Sequence, residues 1–158
     1  MKETFYTYSP IGPLRITIEE ECVTAITVAP CHTDEEPPRG SFALHVKKEI
    51  GRYFAGEATE LDFPVRMNGT PFQVRVWEEL RKIPYGSIAT YGNIAGRIGS
   101  PKAARAVGMA CNRNPLLLAV PCHRVVGGGG KMTGFAVGIE RKEYLLRLER
   151  GSDKKSCF

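Results

Sequence analysis

Cys122 and His123 stand side by side where the apolar run Leu116-Leu117-Leu118-Ala119-Val120-Pro121 gives way to Arg124-Val125-Val126. A thiolate is the competent sulfur nucleophile, and a nearby imidazole promotes its formation. Adjacent side chains often point apart, so a water between sulfur and ring would carry the proton. A base of this kind needs an orienting partner. Glu149 can supply one if it turns inward, because it lies one turn after Leu145 at the border of an apolar helical stripe. The plainer alternatives are an inert thiol packed as a small hydrophobe and a satisfied core histidine.

Two different textures surround this pair. Residues 1–66 read as a small α/β domain. Thr4 to Tyr8 is β-rich, Ser9-Pro10-Ile11-Gly12-Pro13 is turn chemistry, and Leu14, Ile16 and Ile18 alternate with polar residues. Val23 to Val28 gives a third strand, and the proline-rich stretch 29–40 a loop. Ser41 is placed to cap a helix carrying Phe42, Val46, Ile50, Tyr53 and Phe54 on one face. Leu61 to Val65 reads as a last strand, broken by Pro64.

Residues 67–151 read as a helical domain, with 152–158 as a tail. Thr70-Pro71-Phe72-Gln73 has the makings of a capping box with proline at the first helical position, followed by the stripe Phe72, Val76, Leu80 and Ile83. A short helix around Ile94 and Ile98 and a second from Lys102 to Cys111, started by Ser100-Pro101, form a helix-turn-helix pattern. Ala103, Val107 and Ala110 share its core side, and Lys102, Arg105, Gly108 and Asn112 the opposite one. Basic, small and amide residues there suit close approach to a sugar-phosphate backbone. The last helix spans Glu140 to Arg150, with Tyr144, Leu145 and Leu148 as its stripe and Gly151 as its stop.

The chain has 158 residues, 42% hydrophobic and 25% charged, which excludes a wholly disordered or fibrous chain. Its apolar runs fall far short of a bilayer span, and residues 1–5 lack the apolar core of a signal peptide. The expected compartment is the cytoplasm with its nucleoid, or the nucleus in a eukaryote. A formal charge of +5 favours an anionic partner. Arg97, Lys102, Arg105, Arg113, Arg124 and Lys131 concentrate that charge in the second half. Five cysteines at irregular spacing do not read as a disulfide framework. A zinc site from Cys22, Cys31, His32 and His45 matches no established spacing.

The motif Pro121-Cys122-His123-Arg124-Val125-Val126-Gly127 resembles the active-site signature of the O6-alkylguanine-DNA alkyltransferases. The resemblance extends over residues 70–150 and includes Ile83 to Gly92, Lys102 to Gly108, Asn112 to Pro115, Gly134, and Arg141-Lys142 through Glu149. It implies a ribonuclease-H-like N-terminal α/β domain, a helical domain with a helix-turn-helix, and an α+β fold overall. It also implies a function: irreversible, once-only transfer of the O6-alkyl group of guanine in duplex DNA to Cys122, after nucleotide flipping. His123 would act through water and be oriented by Glu149, and Tyr91 would help protonate the leaving guanine. Arg105 would enter the base stack in place of the flipped nucleotide, and Asn114 would brace the loop before the active site. The carbonyls of Cys122 and Val125 would hold the base's amino group, and the Ala136 N–H its O6.

On this reading Thr90, Lys102, Arg105, Gly108, Asn112 and Arg113 face the DNA. Pro121, Asn114, Val125, Phe135, Ala136 and Val137 line the pocket. The implied partner is double-stranded DNA bound through the minor groove, by a monomer, with no membrane, cofactor or metal. Phe135 stands where the family often has Tyr, and Val137 where it has a small residue or Trp; Val137 would reshape the pocket for bulky adducts. The rival within the family is a non-catalytic alkyltransferase-like protein that binds lesions, but such relatives replace the reactive cysteine. A cysteine hydrolase would need an oxyanion site, for which the sequence offers no case. A plain helix-turn-helix regulator would leave Cys122-His123 unexplained.

Overall fold

The computed structural model of the protein describes residues 2–30, 37–131 and 138–151. Among the described residues the fold mixes five α-helices with two small sheets. The chain gathers into two compact units: Met1–Arg66 with Pro115–Ala119, and Met67–Asn114 with Val120–Phe158.

In the first unit β1 (Lys2–Thr7), β2 (Leu14–Glu19) and β3 (Cys22–Val28) form an antiparallel sheet in that order. Alternation puts one face of each strand inward. Ile16 stands opposite Phe5 on one side and Ile26 on the other, and all three are buried. Glu20 and Glu21, at φ 52° and 58°, make the two-residue turn between β2 and β3. That geometry needs positive φ at both central residues.

Helix α1 runs Ser41–Phe54. Gly40, not Ser41, is its N-cap, and no side chain caps it. The expected face is also rotated: Ala43, Val46, Glu49, Ile50 and Tyr53 are buried, whereas Phe42 and Phe54 are only half-buried. Glu49 goes inward because its carboxylate has work there. It accepts from Arg52 Nη1 at 2.9 Å and from the Asp62 N–H at 3.1 Å.

Leu61 to Val65 is not a strand. Val65 makes a single parallel bridge with Val23, through Val23 N–H to Pro64 O (2.9 Å) and Arg66 N–H to Val23 O (3.0 Å). Pro64 has no N–H with which to extend a ladder. Farther along β3, Ile26 bridges Leu116, donating to Pro115 O and accepting from Leu117 N–H. These bonds tie Pro115–Ala119, which lies inside the stretch read as the helical domain, to the first unit.

The second unit opens with α2 (Pro71–Leu80). Its capping box is formed: Thr70 accepts from the Gln73 N–H at 3.1 Å, and Gln73 accepts from the Thr70 N–H at 3.0 Å. Val76 and Leu80 are buried as the stripe predicts, and so is Trp77, whose Nε1 donates to Ala110 O at 2.9 Å. Then follow β4 (Ala89–Thr90), α3 (Tyr91–Arg97), α4 (Ala104–Asn112), β5 (Val125–Val126) and α5 (Ile139–Arg150), with β4 and β5 parallel.

Helix α4 begins at Ala104, two residues later than the sequence suggests. Ser100 does not cap it; its carbonyl accepts from Ala103 N–H and closes a turn holding Pro101 and Lys102. Lys102 therefore lies ahead of the helix rather than on its polar face. Helix α5 ends at Gly151, which takes the left-handed φ of 78° that a residue lacking Cβ adopts without strain. Among the described residues, no helix is long and apolar enough to cross a membrane.

Candidate active site

Pro121 turns the chain tightly into the site. At φ −79° and ψ 65°, with Cys122 N–H bonded to Val120 O at 2.8 Å, it forms an inverse γ-turn. Cys122–Arg124 then make one turn of 3-10 helix. Three residues per turn place successive side chains about 120° apart. This local geometry splays the adjacent Cys122 and His123 in different directions, and all three residues are buried.

His123 meets Glu149 at 2.6 Å through Nε2. Arg124 meets the same carboxylate twice, Nε to Oε1 at 2.7 Å and Nη2 to Oε2 at 3.0 Å. Its Nη1 donates to Ile83 O at 2.7 Å, and its guanidinium lies 5.7 Å from the Tyr85 ring centre. The Gly86 N–H gives Oε1 a longer contact of 3.4 Å. Burial alone would raise the Glu149 carboxyl, but His123 and Arg124 win and hold it down at about 2. An ionised carboxylate cannot donate, so His123 Nε2 carries the hydrogen and Nδ1 is the basic nitrogen. Burial lowers the His123 pKa, with Glu149 pulling the other way. The resting ring is therefore neutral.

Cys122 is held from the other side. Asn114 Nδ2 lies 3.2 Å from its sulfur and 2.8 Å from Val120 O, so one amide ties the sulfur to the loop before it. Burial pushes the Cys122 thiol up to about 11, against the pull of Asn114 and the charge of Lys142. The resting sulfur keeps its proton, and a base must remove it during reaction.

Lys142 is fully buried and was not singled out from the sequence. Its Nζ lies 5.8 Å from the Tyr91 ring centre. The signal was present: Lys142, Leu145, Leu146 and Glu149 occupy i, i+3, i+4 and i+7 of α5, the spacing of one buried stripe. Tyr144, expected in that stripe, is half-buried.

Tyr91 opens α3, oriented by the Thr90–Asn93 capping box. Gly108 of α4 faces its ring, since a Cβ there would stand 3.8 Å from Tyr91 Cε1. Arg105, Asn112 and Arg113 are exposed on or at the end of α4, and Lys102 is exposed before it. Arg124, counted above in the positive charge of the second half, is buried on Glu149. Val125 and Pro121 are buried beside Cys122 in the chain.

Phe135, Ala136 and Val137 lie outside the described residues, as do Cys31 and His32 of the zinc arrangement. Among the described residues, no three His, Cys, Asp or Glu gather as a metal site. A cleft of about 330 Å³ opens between α2 and α4, lined by Phe72, Gln73, Met109 and Arg113 among others. It does not include Cys122.

The family profile described as "6-O-methylguanine DNA methyltransferase, DNA binding domain" matches residues 71–151. A methylated-DNA–protein-cysteine methyltransferase of Mycobacterium tuberculosis is 47% identical over 147 residues, covering 90% of this chain and 88% of the relative. One from Methanosarcina acetivorans is 44% identical over 146 residues, covering 89% and 94%. The crystal structure of the M. tuberculosis O6-methylguanine methyltransferase superposes with a TM-score of 0.86 at 42% identity, covering 96% of this chain and 94% of that one. The M. tuberculosis protein in complex with DNA gives 0.84 at 44% identity, covering 92% and 91%. The chain belongs to the methylated-DNA–protein-cysteine methyltransferase family.

Proposed function

We propose that this protein repairs DNA by moving the alkyl group of an O6-alkylguanine onto Cys122, once per molecule. The observation that carries this reading is the convergence of Cys122-His123 with Asn114 and Glu149: a thiol, a neutral imidazole and an ionised carboxylate that fixes the ring. In the proposed step, His123 Nδ1 takes the Cys122 proton through a water. The sulfur attacks the alkyl carbon, the carbon–O6 bond breaks, and guanine O6 leaves with its electron pair, protonated with help from Tyr91. A thioether has no easy return, so the protein is consumed. The atoms balance without a cofactor.

The target oxygen faces away inside a duplex, so the nucleotide must be flipped out. In this reading α3 and α4 act as a helix-turn-helix, and Arg105 fills the place the base leaves. Gly108 and Asn112 let the backbone come close; Thr90, Lys102 and Arg113 hold phosphates. Pro121, Asn114 and Val125 line the pocket. Entry from the minor groove, with little reading of sequence, makes phosphate contacts dominate. The N-terminal unit is read as ribonuclease-H-like in fold, one molecule acts alone, and the protein works in the compartment that holds the DNA. Retention of Cys122 favours this reading over a non-catalytic lesion binder.

The test is to weigh the intact protein after incubation with duplex DNA bearing O6-methylguanine. One methyl should appear on Cys122 per guanine restored. Cys122→Ala should bind the duplex and gain nothing. Binding by the native protein without a mass change, or repeated turnover, would refute the assignment.

A further inference from the structure

Glu149 accepts from two side chains. Arg124 occupies both of its oxygens at 2.7 and 3.0 Å, and His123 shares Oε2 at 2.6 Å. Arg124 is also anchored independently, on Ile83 O at 2.7 Å and against the Tyr85 ring. It is therefore fixed in place rather than drawn there by Glu149 alone.

A lone buried carboxylate this close to an imidazole would favour imidazolium, and a protonated ring cannot take a proton from a thiol. We infer that Arg124 is a positioning residue that keeps His123 a base: by pairing with both oxygens of Glu149, it lets the carboxylate orient the ring without charging it.

The groups around the ring support this. His123 faces Glu149, Arg124 and Lys142; Glu149 raises its proton affinity, whereas Arg124 and Lys142 lower it. Tyr85, a further titratable group near Glu149, is itself pushed upward and stays neutral. Arg124 touches the carboxylate directly, through both of its oxygens. The inference rests on the proposed role of His123 as base to Cys122.

Three variants test it: Arg124→Met, Arg124→Lys, and Arg124→Met combined with Glu149→Gln. Two readouts are needed. One is titration of the His123 ring by nitrogen NMR on the DNA-free protein. The other is the single-turnover rate of methyl transfer from duplex O6-methylguanine between pH 6 and 9. In Arg124→Met the ring should titrate at higher pH, and activity lost at pH 6 should return toward pH 9. The ratio of the rate at pH 9 to the rate at pH 6 should rise, by about tenfold for each pH unit that the ring's titration is carried above pH 6. Adding Glu149→Gln should bring the titration back down, although both charges are then gone.

Arg124→Lys keeps the charge but not the two-pronged grip, and should fall between native and Met. It serves as the test if Arg124→Met does not fold. Equal loss at every pH, or a His123 titration that none of these variants moves, would overturn the inference. Failure of the native protein to gain a methyl at any pH would instead strike the proposed function, because the NMR titration stands without DNA.

Discussion

The protonation state of the sulfur gives the sharpest test of how this site works. Burial pushes Cys122 up to about 11, so at pH 7 about one sulfur in ten thousand is the anion, a deficit of about 5 kcal/mol. If attack waited for that fraction, the rate would climb tenfold with each pH unit. If His123 takes the proton as the carbon–sulfur bond forms, the rate should be flat wherever the ring is neutral. Burial keeps it neutral to below its ordinary value.

His123→Gln separates the two. Glutamine can still donate to Glu149, so the Glu149–Arg124 pair should survive, but the base is gone. The variant should lose about 10²- to 10⁴-fold at pH 7, the range of general-base contributions, and then regain about tenfold per pH unit. Rapid-quench single turnovers with duplex O6-methylguanine from pH 6 to 10, read by protein mass, measure both profiles. A native rate that rises tenfold per unit across this range, or a flat variant, would refute the reasoning.

Acid should loosen the fold through the same residues. Glu149 is held at about 2 in the folded protein, against an ordinary carboxyl near 4.5 in the unfolded chain. The stability it confers is therefore complete above that unfolded value and is lost as pH falls toward 2, about 3 kcal/mol in all. The depressed His123 acts in the same direction, beginning nearer its own ordinary pKa. Urea titrations at pH 7, 5 and 3 should show this loss, and Glu149→Gln should flatten the slope between pH 5 and 3; an unchanged slope would refute the assignment. Arg105→Ala should slow repair of duplex DNA far more than reaction with free O6-methylguanine base, and equal slowing would remove its proposed flipping role.

Much of this architecture is local and therefore legible in the chain. The Thr70–Gln73 box, the Gly151 stop and the alternation of Leu14, Ile16 and Ile18 depend on neighbours within a turn or a strand. Adjacency of Cys122 and His123 likewise announced nucleophile chemistry. Local chemistry misled where partners were distant. Ser41 and Ser100 are good caps by type, yet Gly40 precedes α1 and a turn delays α4. Leu61 to Val65 has strand composition, but among the described residues of that stretch only Val65 enters a β-bridge.

The site itself was settled only in three dimensions. Arg124 reads as one more positive charge of the second half until α5 brings Glu149 against it across 25 residues. Periodicity puts Lys142 on the stripe of Leu145, Leu146 and Glu149, but only packing shows that this stripe is buried. Sequence names the groups able to exchange a proton. Which of them keeps its charge depends on burial and on neighbours brought in from elsewhere in the chain, because desolvation and Coulomb forces act through space and not along the backbone.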